Sequence, residues 1–136
     1  LSPRRTALRP GEILAAIVIP RSGLMGRSRF LKLGARAHLV ISIAAVAVRI
    51  VEREGRVAEA MVAVGACSPV ARRLPAVEEA LVDGPIRGAA GRVRDIDVEV
   101  GLSPIDDVRA TAAYRNVAAA ELIRRAADDL TGPQDD

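Results

Sequence analysis

The sequence predicts an α+β domain: a small antiparallel sheet of three to four strands, packed against about three C-terminal helices on one face. Three observations predict it. Up to about residue 66 the apolar residues fall in short Ile- and Val-rich runs, bounded by Gly, Pro and charged turns. Beyond Pro69 they recur at helical spacing. The chain has 136 residues, half of them apolar, which suits one domain with one packed core. That core has to be built from Ala, Val, Leu and Ile, because aromatics are 1% and Trp is absent. Phe30 and Tyr114 are the only rings.

Glu12 to Pro20 is rich in Ile and Val and closes on a proline, which predicts a first strand. Residues 21–27, with Gly23 and Gly26, read as a loop. Arg29 to Arg36 forms a second strand, with Phe30 and Lys32 on one face and Leu31 and Leu33 on the other. Leu39 to Val51 is a continuous apolar run without helical spacing, so a buried strand is expected. Glu52 to Gly55 has the composition of a hairpin turn, and Val57 to Val64 supplies a fourth strand. Leu74, Val77 and Leu81 then mark a helix that Gly84 stops. Pro85 suits the first turn of a second helix, with Ile86, Ala89, Ala90 and Val93 on one face. Asp95 to Val100 alternates acidic and apolar residues, which locally says strand. The last helix spans about Ala110 to Leu130, with Ala119, Leu122, Ile123, Ala126 and Leu130 as its stripe, and the tail from Thr131 is expected to fray.

Composition excludes several function classes. Lys and Arg number 20 against 17 Asp and Glu, a net charge of +3, with the signs interspersed. Nucleic-acid binding wants a basic stripe and aromatic stacking platforms, and neither is present. A single Cys67 and a single His38 leave no disulfide and no Cys- or His-based metal site within the chain. The lone thiol suits a reducing cytoplasm. The longest apolar run, Leu39 to Val48, is too short to span a bilayer, and no signal peptide is visible. No nucleophile–base pair or carboxylate dyad stands out, so no catalytic residue is assigned.

Four stretches in order carry a family resemblance. The first is Arg5-Thr6-Ala7-Leu8-Arg9-Pro10-Gly11-Glu12-Ile13-Leu14, followed by Ile17-Val18-Ile19-Pro20. The second is Lys32-Leu33-Gly34-Ala35-Arg36. The third is Gly65-Ala66-Cys67-Ser68-Pro69-Val70-Ala71-Arg72, with Glu78, Leu81 and Gly84 beyond it. The fourth is Asp107-Val108-Arg109-Ala110-Thr111-Ala112-Ala113-Tyr114-Arg115. Together they resemble the C-terminal domain of the FAD-binding (medium) subunit of molybdenum hydroxylases, of the xanthine dehydrogenase and carbon monoxide dehydrogenase type. The fourth is similar to that family's D-x-R-x-S/T-A-x-Y-R signature. Two departures stand out. Where the family usually has an Asp-Ile-Ala step after the basic element, this chain has Val40-Ile41-Ser42, and one residue is inserted before Gly84.

The resemblance implies a small antiparallel sheet with helices packed on it, and a helix end or extended linker at Asp95 to Val100. It implies a module of a flavin-containing oxidoreductase subunit, which helps position FAD and relays electrons from a molybdenum/iron-sulfur hydroxylase to an acceptor. Leu14 and Lys32 match the residues near the isoalloxazine, while Arg36, Asp107, Arg109, Tyr114 and Arg115 match positions that brace the fold. Arg36 is read as an ion-pair residue, and Arg115, falling on the side of the apolar stripe, needs Asp106 or Asp107 as a partner. The family's phosphate-cradling glycine motifs come earlier in the full subunit, and Gly84, Gly88 and Gly91 here sit in a helical pattern. The chain is therefore expected to be the domain without its flavin-binding N-terminal domains, inactive when isolated and binding FAD weakly or not at all. The implied partners are those flavin-binding domains, an iron-sulfur subunit and a molybdenum subunit, in the cytoplasm. A homo-oligomer is compatible, whereas nucleic acid and a membrane span are not expected. A rival reading is a non-catalytic interaction domain that keeps the fold without flavin. A third is an unrelated small binding protein with a chance match.

Overall fold

A computed structural model describes residues 5–132. It is an α+β fold: a four-stranded antiparallel sheet in the order β1-β2-β3-β4, with three helices. The strands are β1 (Arg27–Leu33), β2 (Ala44–Arg53), β3 (Arg56–Gly65) and the two-residue β4 (Arg72–Arg73). The helices are α1 (Pro75–Leu81), α2 (Asp95–Glu99) and α3 (Ala112–Thr131).

The β2–β3 hairpin is the centre of the sheet. Its turn is Glu54-Gly55, with φ of 52° and 74°. Positive φ at both positions is what a tight hairpin turn requires to match the twist of its strands. The strands pair from Arg53↔Arg56 to Ala45↔Gly65, with a shift in register between Val51 and Glu52. Val46, Val48, Ile50, Val57, Val62 and Val64 point to the buried face. Leu31 and Leu33 of β1 pack against the same core, while Phe30, on the other face, is 64% exposed.

The free edge of β3 is covered at both ends. Val57 N donates to Gly84 O and Asp83 N to Val57 O, at 3.0 and 2.9 Å. Further along, Leu74 N donates to Val62 O, and Val62 N donates to Glu78 Oε1 at 2.8 Å. Glu78 also accepts from Arg73 Nε and Nη2 at 2.6 and 2.7 Å. Burial would push the Glu78 carboxyl up, but these donors together hold it below its usual value. An edge covered by loop, helix and side chain offers no template for pairing with another chain.

Helix α1 begins with Pro75, whose missing N–H would be unpaired there in any case. Its end is fastened by Arg92, which donates to Ala80 O, Leu81 O and Pro85 O at 3.1, 3.0 and 2.9 Å. Helix α3 lies on the buried sheet face. Ala118, Ala119, Ala120, Ile123, Ala126, Ala127 and Leu130 are its buried residues, together with Arg115. So many alanines bring the helix backbone close to the sheet, which lets a core with few large side chains fill its space.

Two expected elements differ, and a third, read locally as strand and by the resemblance as a helix end or extended linker, is resolved as helix. Glu12 to Pro20 forms no strand, and its apolar side chains stand in solvent, Val18 at 87% exposure. A strand needs a neighbour for its hydrogen bonds, and none lies beside this segment among the described residues. Residues 85–93 do not form a helix but a single 3-10 turn, Ala89–Arg92. Gly88 has a φ of 70°, outside the helical region, so a helix begun at Pro85 cannot run on, and Ile86 N instead bonds Gly55 O at 2.9 Å. The alternating Asp95 to Val100 is mostly helix α2: Val98 is buried, Ile96 and Val100 face solvent, and Asp97 is clamped by Arg94 at 2.6 and 2.7 Å. Asp95 and Asp97 in its first turn suit the positive end of a helix. The sheet thus starts at residue 27 rather than 12. The fraying expected of the tail lies, from residue 133, outside the described residues.

The packing gives a direct expectation. Ile123→Ala should lower stability by roughly 2–5 kcal/mol through loss of buried contacts and the cavity left behind. Val108→Ala, at a fully exposed position, should stay within about 0.5 kcal/mol. Urea denaturation of both variants checks this, and equal effects would place Ile123 outside the core.

Candidate functional site

The residues of the fourth motif meet those of the third at one end of the sheet. Asp107 to Ala110 forms a turn closed by Asp107 N to Ala110 O at 3.1 Å. Helix α3 follows, capped by Thr111 Oγ1, which accepts from Tyr114 N at 3.2 Å, and by Asp106, whose Oδ1 accepts from Ala112 N.

Arg115 points from the first turn of α3 into the protein and is 3% exposed. Its Nη1 donates to Ile43 O at 2.6 Å, just before β2, and to Ala66 O at 3.0 Å, just after β3. Its Nη2 donates to Asp107 Oδ1 at 2.8 Å. One planar cation therefore ties the start of β2, the end of β3 and the turn before α3. Its Nε has no acceptor. Asp107 also accepts from the backbone N–H of Arg109 at 2.8 Å and of Ala110 at 3.3 Å, and from the Arg109 guanidinium. The Arg109 amide contributes most to holding its carboxyl below the usual aspartate value; burial opposes this, and the other donors add to it.

Cys67 is buried against this lock, its Sγ 3.8 Å from both Ile43 O and Arg115 O. Burial pushes the thiol up, and the Arg115 charge only partly offsets it. Ser68 Oγ donates to Cys67 O at 2.6 Å and accepts from Ser103 N at 3.0 Å, which pins the third motif to the loop before Asp106. Sequence reading missed the part played by Ser68, Ser103 and the carbonyls of Ile43 and Ala66. A buried arginine needs acceptors, but nothing in the sequence says which distant carbonyls supply them.

The two positions matched to flavin contacts take no part in the hydrogen bonds of this lock. Lys32 is on the open face of β1, exposed, and its Nζ donates to Val40 O at 2.7 Å. Leu14 lies in the segment before β1, 69% exposed. Arg36 Nη2 donates to Leu39 O at 2.6 Å, so the bond found for this residue goes to a carbonyl rather than a carboxylate. Tyr114 is half-exposed, beside Leu33 and Leu122. Among the described residues, no group of three or more His, Cys, Asp or Glu is placed to hold a metal ion. Within the same residues no helix is long and apolar enough to cross a membrane.

The family model of the CO dehydrogenase flavoprotein C-terminal domain matches residues 29–130. The chain belongs to this family. Among solved structures it is similar to carbon monoxide dehydrogenase from Hydrogenophaga pseudoflava, in a form lacking the Mo-pyranopterin moiety of its molybdenum cofactor. The TM-score is 0.69 at 23% identity, over 76% of this chain and 36% of that one. It is similar to reconstituted CO dehydrogenase from Oligotropha carboxidovorans, with TM-score 0.69, 20% identity and coverage of 79% and 37%. It is also similar to quinoline 2-oxidoreductase from Pseudomonas putida 86, with TM-score 0.67, 20% identity and coverage of 76% and 36%. At these identities the likeness is one of fold. This chain spans little more than a third of the length of each of those chains. No curated protein matches it.

The Arg115 lock yields a stability test. Arg115→Met should cost roughly 3 kcal/mol or more, because Asp107 and two carbonyls lose their donor. Asp107→Asn should behave differently with pH. A carboxyl whose folded pKa is depressed contributes fully above its unfolded value and loses that contribution as pH falls through the folded one. The difference in Tm between wild type and Asp107→Asn should therefore be steady near neutrality and close once pH drops below the ordinary value of 3.8. A gap unchanged in acid would mean that the Asp107 charge contributes nothing.

Proposed function

We propose that this domain works in a flavin-containing oxidoreductase subunit, where it helps to position FAD and serves the relay of electrons from a molybdenum/iron-sulfur hydroxylase to an acceptor. The observation that carries the reading is the family match over residues 29–130. The exposed apolar segment before β1 adds support. Ile13, Leu14, Ile17, Val18 and Ile19 have strand-forming character but no partner among the described residues, as a segment that packs on a neighbouring flavin-binding domain would. The open face of the sheet, with Phe30 and Lys32, is a second surface suited to such a neighbour.

In this reading the described residues serve the ring end of the cofactor and not its phosphates. Gly84 is packed against the Arg92 guanidinium, and Gly88 precedes only a single 3-10 turn, so neither opens a phosphate cradle at a helix N-terminus. Leu14 would contribute shape beside the isoalloxazine. Lys32 would place an ammonium near its pyrimidine edge, where reduction adds negative charge. Flavin, when bound, supplies the electron-accepting chemistry. Arg36, Asp107, Arg109, Tyr114 and Arg115 brace the domain in this reading, and the protein is assigned to the cytoplasm. The partners proposed are the flavin-binding domains with an iron-sulfur and a molybdenum subunit.

The isolated chain should show no tight binding when titrated with FAD, since a phosphate cradle is lacking among the described residues. A protein that purifies yellow on its own would contradict this. In a complete flavin subunit, Lys32→Met should lower the flavin reduction potential and slow electron delivery, because a partly shielded positive charge contributes on the order of 1 kcal/mol to the reduced anion. Arg36→Ala should affect stability more than potential. Spectroelectrochemical titration of both variants beside wild type tests the reading. An unchanged potential and reduction rate in Lys32→Met would remove Lys32 from the flavin site.

A further inference from the structure

A cleft of about 360 Å³ opens where the start of β2, the end of β3 and the turn before α3 meet. Its wall is mainly apolar, with Ile41, Pro69 and Ile105, and the last two of its charged lining groups, Arg109 and Arg115, outnumber the single carboxylate of Asp107. The hydrogen bonding is unbalanced in the same sense. Asp107 is already engaged by the Arg115 guanidinium, the Arg109 guanidinium and the backbone amides of Arg109 and Ala110. Arg115 keeps a buried Nε without an acceptor. Arg109 is only partly covered, at 37% side-chain exposure, and gives one nitrogen, Nη1, to Asp107. Charged donors therefore exceed charged acceptors at the polar side of a cleft whose remaining wall is hydrocarbon and the serines Ser42, Ser68 and Ser103.

We propose that this cleft binds a small organic monocarboxylate, with the carboxylate on the Arg109 guanidinium and a compact apolar body against Ile41, Pro69 and Ile105. A carboxylate supplies the acceptor that the cluster lacks and matches the planar donor fork of arginine. The excess of one positive charge suits a monoanion. The volume is at the small end of ligand pockets, which fits a single ring or a branched chain and not a helix or a strand of a partner. Neither Lys32 nor Leu14 lines the cleft, and its occupancy does not depend on flavin.

Benzoate is the probe, titrated into the isotopically labelled 136-residue chain while amide shifts are followed by NMR. Saturable shifts are expected at Ser42, Ala66, Ser103 and Ala110, with a Kd of about 1 mM or tighter. Benzyl alcohol, of similar shape and no charge, should bind at least about tenfold more weakly. Arg109→Gln should weaken benzoate by a similar factor and leave the rest of the spectrum in place. If that variant proves misfolded, Ile105→Trp, a bulkier side chain at an exposed wall position, must abolish the shifts instead. The proposal is overturned if benzoate gives no saturable shifts up to about 10 mM. Equal affinity for benzyl alcohol, unchanged binding in a folded Arg109→Gln, shifts that persist in Ile105→Trp, or shifts centred on Arg72 and Arg73 would each overturn it too.

Discussion

The fold hangs on one buried cation. Arg115 is placed by helix α3 but belongs energetically to the sheet, since its Nη1 holds the carbonyls of Ile43 and Ala66. Those carbonyls lie just outside the paired strands, where no ladder partner reaches them, and burial would leave them unsatisfied. A hydrophobic residue in its place would fill the space without meeting that need. Asp107 balances the charge, and the turn that carries Asp107 is in turn held by Arg109 and Ala110. The buried thiol of Cys67 and the neighbouring cleft are consequences of the same arrangement: the backbone after β3 has to bend in to meet the guanidinium, and Ala66 does so with a φ of 67°.

The second constraint is size. With aromatics at 1%, the core depends on many small and branched side chains at short range. Alanines on α3 lie against β2 and β1, and α1 covers β3, so the layers approach closely and each contact is modest. This economy closes one face of the sheet only. The opposite face keeps Phe30, Lys32 and Met61 in solvent, and residues 13–19 before β1 keep five large apolar side chains there. Apolar surface left open on this scale marks a protein that completes its packing against something else. That is the role proposed for it beside flavin-binding domains.

Edges tell the same story from the backbone. The β3 side of the sheet is sealed by the 83–85 loop, by Leu74 and Glu78, and by β4. The β1 side ends the sheet and carries Arg27, Arg29 and Lys32, charges that discourage pairing with a stray strand. The domain is thus closed to strand addition on one side by hydrogen bonds and guarded on the other by charge.

The sequence by itself determined the class, the central hairpin, the first and last helices and the charged side chains of the lock. Phe30 and Lys32 against Leu31 and Leu33 marked β1, the continuous apolar run from Leu39 to Val51 marked β2, and Val57 to Val64 marked β3. The Glu52 to Gly55 turn set the hairpin, Leu74, Val77 and Leu81 with Gly84 as stop marked α1, and the Asp107 to Arg115 motif marked the start of α3. These are local signals, written within a turn or a strand of each other. Tertiary structure decided the rest. Glu12 to Pro20 has strand chemistry but strands are made by neighbours, and here none is adjacent. Residues 85–93 have helical spacing, yet Ile86 binds the hairpin turn and Gly88 takes a left-handed conformation, so only a 3-10 turn survives. Asp95 to Val100 reads as a strand until Arg94 clamps Asp97 and Val98 turns into the core. Arg115 shows the limit most plainly: its acceptors lie 72 and 49 residues away along the chain. A carbonyl carries no side-chain identity, so no pattern of residues could have named them before the fold brought them together.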